Sequence, residues 1–593
     1  MKTTVEKLAL IRAALQQNSI DIYLIPSGDP HLGEYIPDHW RIISWLTGFT
    51  GSAATVLITA ESAHLWTDSR YFLQAAEQLS GSGFELAKQE PEHYADFSEW
   101  VASWVKNGSS IAFDGRIFSI SAFRKLKKAL DGKDITFIDD SDLISALFTN
   151  RPKMPSSMAW IHPIDYSGKD RSVKIAGVRD RMKKQNAEFQ LLTSPDDIMW
   201  LLNIRGSDLP YSPLLLSFAL IGKEKLFLFA GKSSFSSELA EELNNQNIRI
   251  LPYNEAVNMF SDLKKDSSII INPSTTSVLL YNSIPKENHI IEDISIPARL
   301  KTVKNNTEIR NISRVMIKDG VALTKFFYWF MKNLGKIAMS EISIAKKLYE
   351  FRSLRNDFLG PSFPTIAAFN GHSALPHYTP AIGSNAVISG NGILLIDSGG
   401  QYKGGTTDIT RTIATGIPTV RQKTDFTLVL KGHINLAMAK FPLGTKGSQL
   451  DILARKPLWE NGLNYGHGTG HGVGYCLNVH EGPVNINPSV NKTVIESGML
   501  ISNEPAIYRE GEYGIRTENL MISFEDEETE FGHFLKFDTV SLCFIDKSLI
   551  EKTLLDPKEI NWLDDYHSVV CERLSPFLSA DEKNWLLDKT AKL

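Results

Sequence analysis

Hydrophobic and polar residues along this chain fall into blocks whose period changes between helical and strand-like. Residues 5–16 carry apolar positions at helical spacing, and residues 20–25 follow as a short apolar, β-branched run. The loop Ser27-Gly28-Asp29-Pro30 and the stretch Trp45-Leu46-Thr47-Gly48-Phe49-Thr50-Gly51-Ser52 come next. Strand patterns at 54–58 and 64–67 then precede a helix pattern at 70–78. A similar order returns further on. Ser194-Pro195-Asp196 and Trp200-Leu201-Leu202-Asn203-Ile204-Arg205-Gly206-Ser207 are followed by strand patterns at 215–221 and 225–229. The shared order predicts two copies of one α/β unit.

Proline, serine and charge interrupt the pattern at 149–157, which is expected to separate the copies, and at 296–306, which is expected to join the second copy to the remainder. From Glu308 the period is helical over long stretches, 317–334 and 341–352. Strands and glycine loops are predicted between 362 and 523, and terminal helices between 556 and 592.

At 593 residues the chain exceeds what one core supports, so two to four domains are expected. Hydrophobic residues at 42% and charged residues at 22% are ordinary for a globular protein. A net charge of −5 gives no footprint for nucleic acid or a membrane surface as partner. The three cysteines, Cys476, Cys543 and Cys571, have neither metal-ligand spacing nor the number for a disulfide framework. The first residues lack the apolar core of a signal peptide, and no apolar run reaches the length of a membrane span. A cytoplasmic enzyme is the expectation.

The chemistry concentrates in the C-terminal half. The apolar run at 393–396 ends on Asp397, and after a glycine-rich break a second β-prone run contains Asp408. The two acids are symmetric about Tyr402-Lys403, so an undisturbed hairpin turning there places them directly opposite each other. Like charges in that position repel, and a cation between them makes the placement sensible. Glu504 and Glu518 are likewise symmetric about Gly511, which predicts a second hairpin with a facing acid pair. His467 and His471 lie in Gly466-His467-Gly468-Thr469-Gly470-His471-Gly472, where the glycines argue for a loop rather than a helix. Singly, each residue reads as an ordinary turn or loop position. Together they form two acid pairs and a histidine within about 120 positions. Two divalent cations neutralise four carboxylates, and a mainly oxygen ligand set with one imidazole favours a hard ion such as Mn²⁺, with cobalt, iron and zinc as alternatives.

At this point the sequence resembles the pita-bread metallopeptidases. Asp397, Asp408, His471, Glu504 and Glu518 match that family's metal ligands. Ile396-Asp397-Ser398-Gly399, Thr406-Thr407-Asp408-Ile409-Thr410-Arg411-Thr412, Asn478-Val479-His480-Glu481-Gly482-Pro483 and Gly514-Ile515-Arg516-Thr517-Glu518-Asn519 are similar to the long, three-domain Xaa-Pro aminopeptidases. So are Ile25-Pro26-Ser27-Gly28-Asp29 and residues 66–76. The resemblance implies a mixed α/β fold with creatinase-like domains at 1–157 and 158–302 and a pita-bread catalytic domain at 303–593. It implies two Mn²⁺ ions and commonly a homodimer. Asp408 and Glu518 are expected to bridge the ions, with Asp397 and His471 on one each. Glu504 is expected to be both ligand and acid–base, His377 and His480 to be substrate-facing histidines, His467 a further active-site histidine, and Arg516 a support for a ligating carboxylate. Ala506 departs from the family, which usually has glycine there. The implied reaction is hydrolysis of the N-terminal Xaa-Pro bond by a metal-bridged water or hydroxide, in peptides with proline second. The alternatives are a prolidase confined to Xaa-Pro dipeptides and a catalytically inactive peptide-binding module on the same fold.

Overall fold

In the computed structural model, residues 2–68, 70–89, 96–261, 263–381, 383–489 and 491–593 are described. Ser69, within the quoted stretch 66–76, lies outside them. Thr3 and Glu6 close a capping box at the start of helix Thr4–Gln17, which buries Leu8, Ile11 and Leu15 from one stripe. The strands that follow are short, apolar and mostly buried, as a sheet covered on both faces requires.

The chain divides into two compact units. One comprises Met1–Ile161, Lys169–Pro210 and Leu214–Pro297; the other comprises His162–Gly168, Tyr211–Pro213 and Ala298–Leu593. The first unit contains two six-stranded sheets. One is built from Ile22–Pro26, Thr55–Ile58, Ala63–Thr67, Glu85–Lys88, Ser110–Phe113 and Thr136–Ile138. The other is built from Phe189–Leu192, Ser217–Gly222, Leu226–Ala230, Ile248–Pro252, Ser268–Ile271 and His289–Glu292. In both, the order across the sheet is fourth, third, second, first, fifth, sixth. In both, the first three strands pair antiparallel and the outer pairings are parallel. The sequence echo sits at equivalent places: Trp45 in helix Ile42–Thr47 and Trp200 in helix Pro195–Leu202, each ahead of its second strand.

The second unit opens on helix Asn306–Asn333, capped by Asn305 and Glu308. The preceding stretch, expected as a plain connector, contains helix Ile296–Thr302. Strands Ile366–Phe369, Ile393–Ser398 and Ile409–Ala414 form one antiparallel sheet. Leu500–Asn503, Asn519–Thr529 and Gly532–Thr539 form most of another, and Ala506–Arg509 pairs with Tyr513–Arg516 in a separate hairpin. Every residue of Ile393–Ser398 and Ile409–Ala414 is buried, so these strands run through the core rather than over it.

Arg411 ties this core together. Its guanidinium donates to the carbonyls of Phe544, Cys543, Thr410 and Glu518, to Asn519 Oδ1 and to the Tyr566 hydroxyl in the terminal helix Pro557–Leu574. A buried charge satisfied at every N–H is a structural clamp, and its loss strands several carbonyls at once.

Candidate metal centre

Asp397 is the fifth residue of strand Ile393–Ser398 and faces Thr410, not Asp408. The ladder continues into Gln401↔Thr406 and Tyr402↔Gly405, so the hairpin closes at Lys403-Gly404 rather than at Tyr402-Lys403. That shift moves each residue's partner by two positions. Asp408 precedes strand Ile409–Ala414, and in the continued register it lies across from Gly399. The two backbones pinch there: a Cβ on Gly399 would lie 1.9 Å from the Thr407 carbonyl oxygen. Asp397 and Asp408 still meet, because a two-residue shift preserves the face of a strand. With Glu518 they bring carboxylate oxygens within 4.8 Å of one another.

The glutamates follow the symmetry about Gly511. Asn503 pairs with Asn519 and Ala506 with Arg516, so Glu504 and Glu518 fall at facing positions between two ladders. Gly511 has φ +72, which suits a residue without a Cβ at the turn. Ala506 is fully buried and opens a regular strand, so the departure from glycine is accommodated.

His471 lies in the two-residue strand Gly470–His471, set by its neighbours' lack of side chains. A Cβ on Gly470 would lie 2.0 Å from the Ser502 carbonyl oxygen and one on Gly472 2.2 Å from that of Glu481. His471 Nδ1 faces the Gly472 carbonyl at 2.9 Å, which leaves Nε2 aimed at the acids. Nε2 lies 3.4 Å from Asp408 Oδ2 and 3.6 Å from Glu504 Oε1. His471, Glu504 and Glu518 form a second ligand group within 4.8 Å, and Asp408, His471 and His480 a third. Asp408 and Glu518 each belong to a group with Asp397 and to a group with His471.

The electrostatics are those of acids crowded together in a buried site. Burial pushes the Asp397 carboxyl up to about 6; Arg516 pulls it back, and the Asp408 charge pushes it further. Burial pushes Glu504 to about 7, although 18% of its side chain reaches solvent; His471 and Arg516 oppose the rise. Glu518 is held well above the usual carboxylate range by burial and by the charges of Asp408, Glu504 and Asp397. Asp397 Oδ1 is buried with no hydrogen-bond partner. The orphaned Asp397 oxygen, mutual repulsion among the acids and an imidazole nitrogen aimed inward fit divalent cations held by these five side chains.

Behind the candidate ligands lies a layer of donors. Arg516 Nη2 donates to Asp397 Oδ2 at 2.6 Å, Nε to Thr410 Oγ1 at 3.1 Å and Nη1 to the Tyr508 hydroxyl at 2.6 Å. Thr410 in turn donates to Glu518 Oε2 at 2.8 Å, and the Tyr508 hydroxyl lies 2.9 Å from His467 Nε2. His467 Nδ1 approaches Glu504 Oε2 at 3.9 Å. His480 packs edge-on to His471 with ring centroids 4.3 Å apart. Its neighbour Glu481 is buried with Lys304 at 2.5 Å and Lys301 at 3.3 Å. His377 is half-buried in the turn closed by Tyr378 N–H on the Leu375 carbonyl. It does not belong to any of the three ligand groups.

Thr410, Tyr508 and His433 escape a reading of the sequence. The Asn519 amide donates to His433 Nε2, so the ring carries its proton on Nδ1 and donates to the Asn503 carbonyl. Burial and the Arg411 charge lower its pKa to about 3, so it stays neutral while bracing the two strands that lead to Glu504 and Glu518. Thr410 had one available signal, its place two residues beyond Asp408; Tyr508 and His433 had none.

Fold and site together define a pita-bread metallopeptidase. Residues 310–523 match the metallopeptidase family M24, residues 533–593 the C-terminal region of that family, and residues 7–147 and 150–308 each match the creatinase/prolidase N-terminal domain. The chain belongs to metallopeptidase family M24, in the group of the Xaa-Pro aminopeptidases P. It is 38% identical to a probable Xaa-Pro aminopeptidase P of Talaromyces stipitatus, across 100% of this chain and 92% of the relative. It is 37% identical to one of Aspergillus fumigatus, across 100% and 93%. The crystal structure of X-prolyl aminopeptidase from Caenorhabditis elegans, described as a cytosolic enzyme with a di-nuclear active site, superposes with a TM-score of 0.96 at 33% identity over 100% of both chains. A prolidase from Thermococcus sibiricus shares the fold over 64% of this chain and 98% of its own, with a TM-score of 0.51 at 22% identity.

Proposed function

We propose that this protein hydrolyses the N-terminal Xaa-Pro bond of peptides, releasing the residue before proline, with two divalent cations, Mn²⁺ foremost, as cofactor. The observation that carries the reading is the convergence of Asp397, Asp408, His471, Glu504 and Glu518, with Asp397 Oδ1 buried and unpartnered. Full-length likeness to Xaa-Pro aminopeptidases supports the substrate class. Asp397, Asp408, His471, Glu504 and Glu518 would hold the ions; Asp408 and Glu518, each grouped once with Asp397 and once with His471, would serve both, and Asp397 and His471 one each. When bound, the ions supply Lewis acidity and a water that loses its proton near neutral pH.

The chain's own residues do the rest. Glu504 takes the proton of the attacking water on a carboxylate oxygen and returns it to the departing proline nitrogen. His377 and His480 donate to the substrate around the scissile carbonyl, where negative charge develops. Arg516 and Thr410 orient the ligands from behind, and His467 is braced through Tyr508. The Xaa-Pro bond lacks an N–H and its ring fixes φ, so it needs a site shaped for it rather than one that grips an extended backbone. Cytoplasmic location and a homodimer accompany the reading. No helix among the described residues is long and apolar enough to cross a membrane.

The test is an assay on Xaa-Pro dipeptides, tripeptides and longer Xaa-Pro peptides after chelation and stepwise return of Mn²⁺. Tripeptides and longer peptides are cleaved, and only with metal. Strict dipeptide preference replaces the reading with prolidase; no bound divalent ion and no activity with Mn²⁺ replaces it with a peptide-binding module.

A further inference from the structure

Glu341, the first residue of helix Glu341–Ser353, is completely buried and lies outside all three ligand groups. Its carboxylate nevertheless gathers donors from a single stretch of chain. Oε1 accepts the Phe369 N–H at 2.7 Å and Oε2 the Ala386 N–H at 2.8 Å. Between those two positions in the sequence, the single proton of the Tyr378 hydroxyl is shared between Oε2 at 2.7 Å and the Ser384 carbonyl oxygen at 2.5 Å, and His372 Nδ1 lies 2.9 Å and 3.0 Å from the two Glu341 oxygens. His372 also stacks on Tyr378 with ring centroids 4.6 Å apart. One carboxylate therefore pins both ends and the middle of the stretch that carries His377.

The middle contact matters most. Tyr378 directly follows His377, and its ring packs with Ile366, Ala368 and Leu395. Ile366 pairs with Asp397 in the ladder, and Leu395 is two residues before Asp397 on the same strand and face. Glu341 thus fixes Tyr378, and Tyr378 seats the backbone of His377 against the strand pair that presents Asp397. Two backbone N–H groups, a ring nitrogen and a shared hydroxyl converging on one buried carboxyl group leave little slack. The geometry points to Glu341 as a positioning residue for His377: without touching the substrate, it sets where the His377 imidazole stands relative to the metal centre. This rests on the reading of His377 as a substrate-facing group.

Glu341→Gln keeps the size of the side chain but sets an NH₂ group against donors. It is expected to lower kcat by about 10- to 100-fold, the cost of a misplaced catalytic group, with KM and bound-metal content near the parent values. The decisive measurement is a double-mutant cycle with His377→Ala. If Glu341 acts through His377, Glu341→Gln costs little further in the His377→Ala background. Equal losses in both backgrounds, or a drop in bound metal that accounts for the lost kcat, overturn the proposal. Tyr378→Phe removes only the hydroxyl and keeps the ring packing, so it serves if Glu341→Gln fails to fold. It is expected to lower kcat by about three- to tenfold, again without further cost beside His377→Ala, and equal losses in both backgrounds overturn the proposal in the same way. Parent-like kcat in His377→Ala alone refutes the role of His377, a separate outcome from additivity with Glu341→Gln.

Discussion

Glu341 and the Asp397 cluster are buried acids of one folding unit, but their surroundings differ in kind. Glu341 is ringed by two backbone N–H groups, a phenol and an imidazole. Asp397, Asp408, Glu504 and Glu518 are ringed largely by one another, with Arg516 and Thr410 as donors from behind. An acid saturated by donors of its own chain is a fixed anchor. Acids packed together and short of donors either hold protons, as their raised values describe, or share a cation. The same residue type thus serves two purposes, and the count of available donors separates them.

The largest break in that comparison comes at Glu504. Glu504→Gln is expected to fold normally and lose about 10³-fold in kcat, since the proton acceptor is gone and the shape is kept. Parent-like turnover in a steady-state peptide assay would remove Glu504 from the proton-transfer role. Arg516→Lys comes next. A single ammonium cannot reach Asp397 Oδ2, Thr410 Oγ1 and the Tyr508 hydroxyl together, so metal affinity is expected to fall about 10- to 100-fold by calorimetric titration. An unchanged affinity would show that the ligands are held in place without their donor layer.

A smaller effect sharpens the contrast without mutation. In cation-stripped protein, Asp397 and Glu504 have folded-state values of about 6 and about 7, above their ordinary 3.8 and 4.5. A carboxyl raised on folding contributes stability that is intact below its unfolded value and is lost as pH climbs through its folded value. Stripped protein should therefore lose stability relative to Mn²⁺-loaded protein between about pH 4 and pH 7, by on the order of 1–3 kcal/mol per group. Denaturant titration of both forms across that window checks it, and a constant gap would mean that the acids are already compensated within the chain.

Much of this was legible from residue order. The period and the Trp-Leu/Gly-Ser echo mark the paired lobes that appear as two sheets of one strand order. The Gly511 symmetry places Glu504 across from Glu518 because the chain between them is a regular hairpin with one turn. The same logic misjudges Asp397 and Asp408 by two positions. Their hairpin is interrupted around Asp408 and turns one peptide later, at Lys403-Gly404, the pair that carries the turn-favouring glycine, a signal that the symmetry of the two acids overrode. His433 and Tyr508 were illegible for another reason: a histidine in a helix and a tyrosine in a strand carry no mark of what they will meet.

By itself, the sequence determined the helical and strand periods, the caps, the glycine positions where backbones must touch, and the presence of four acids and a histidine able to share cations. Only the tertiary structure decided which donors each acid receives. Arg516 reaches Asp397 and Thr410 reaches Glu518 across more than a hundred residues of chain. Local sequence encodes backbone preference and burial period. The balance between acceptors and donors at a buried group is a sum over elements remote in sequence, and it exists only once they have packed.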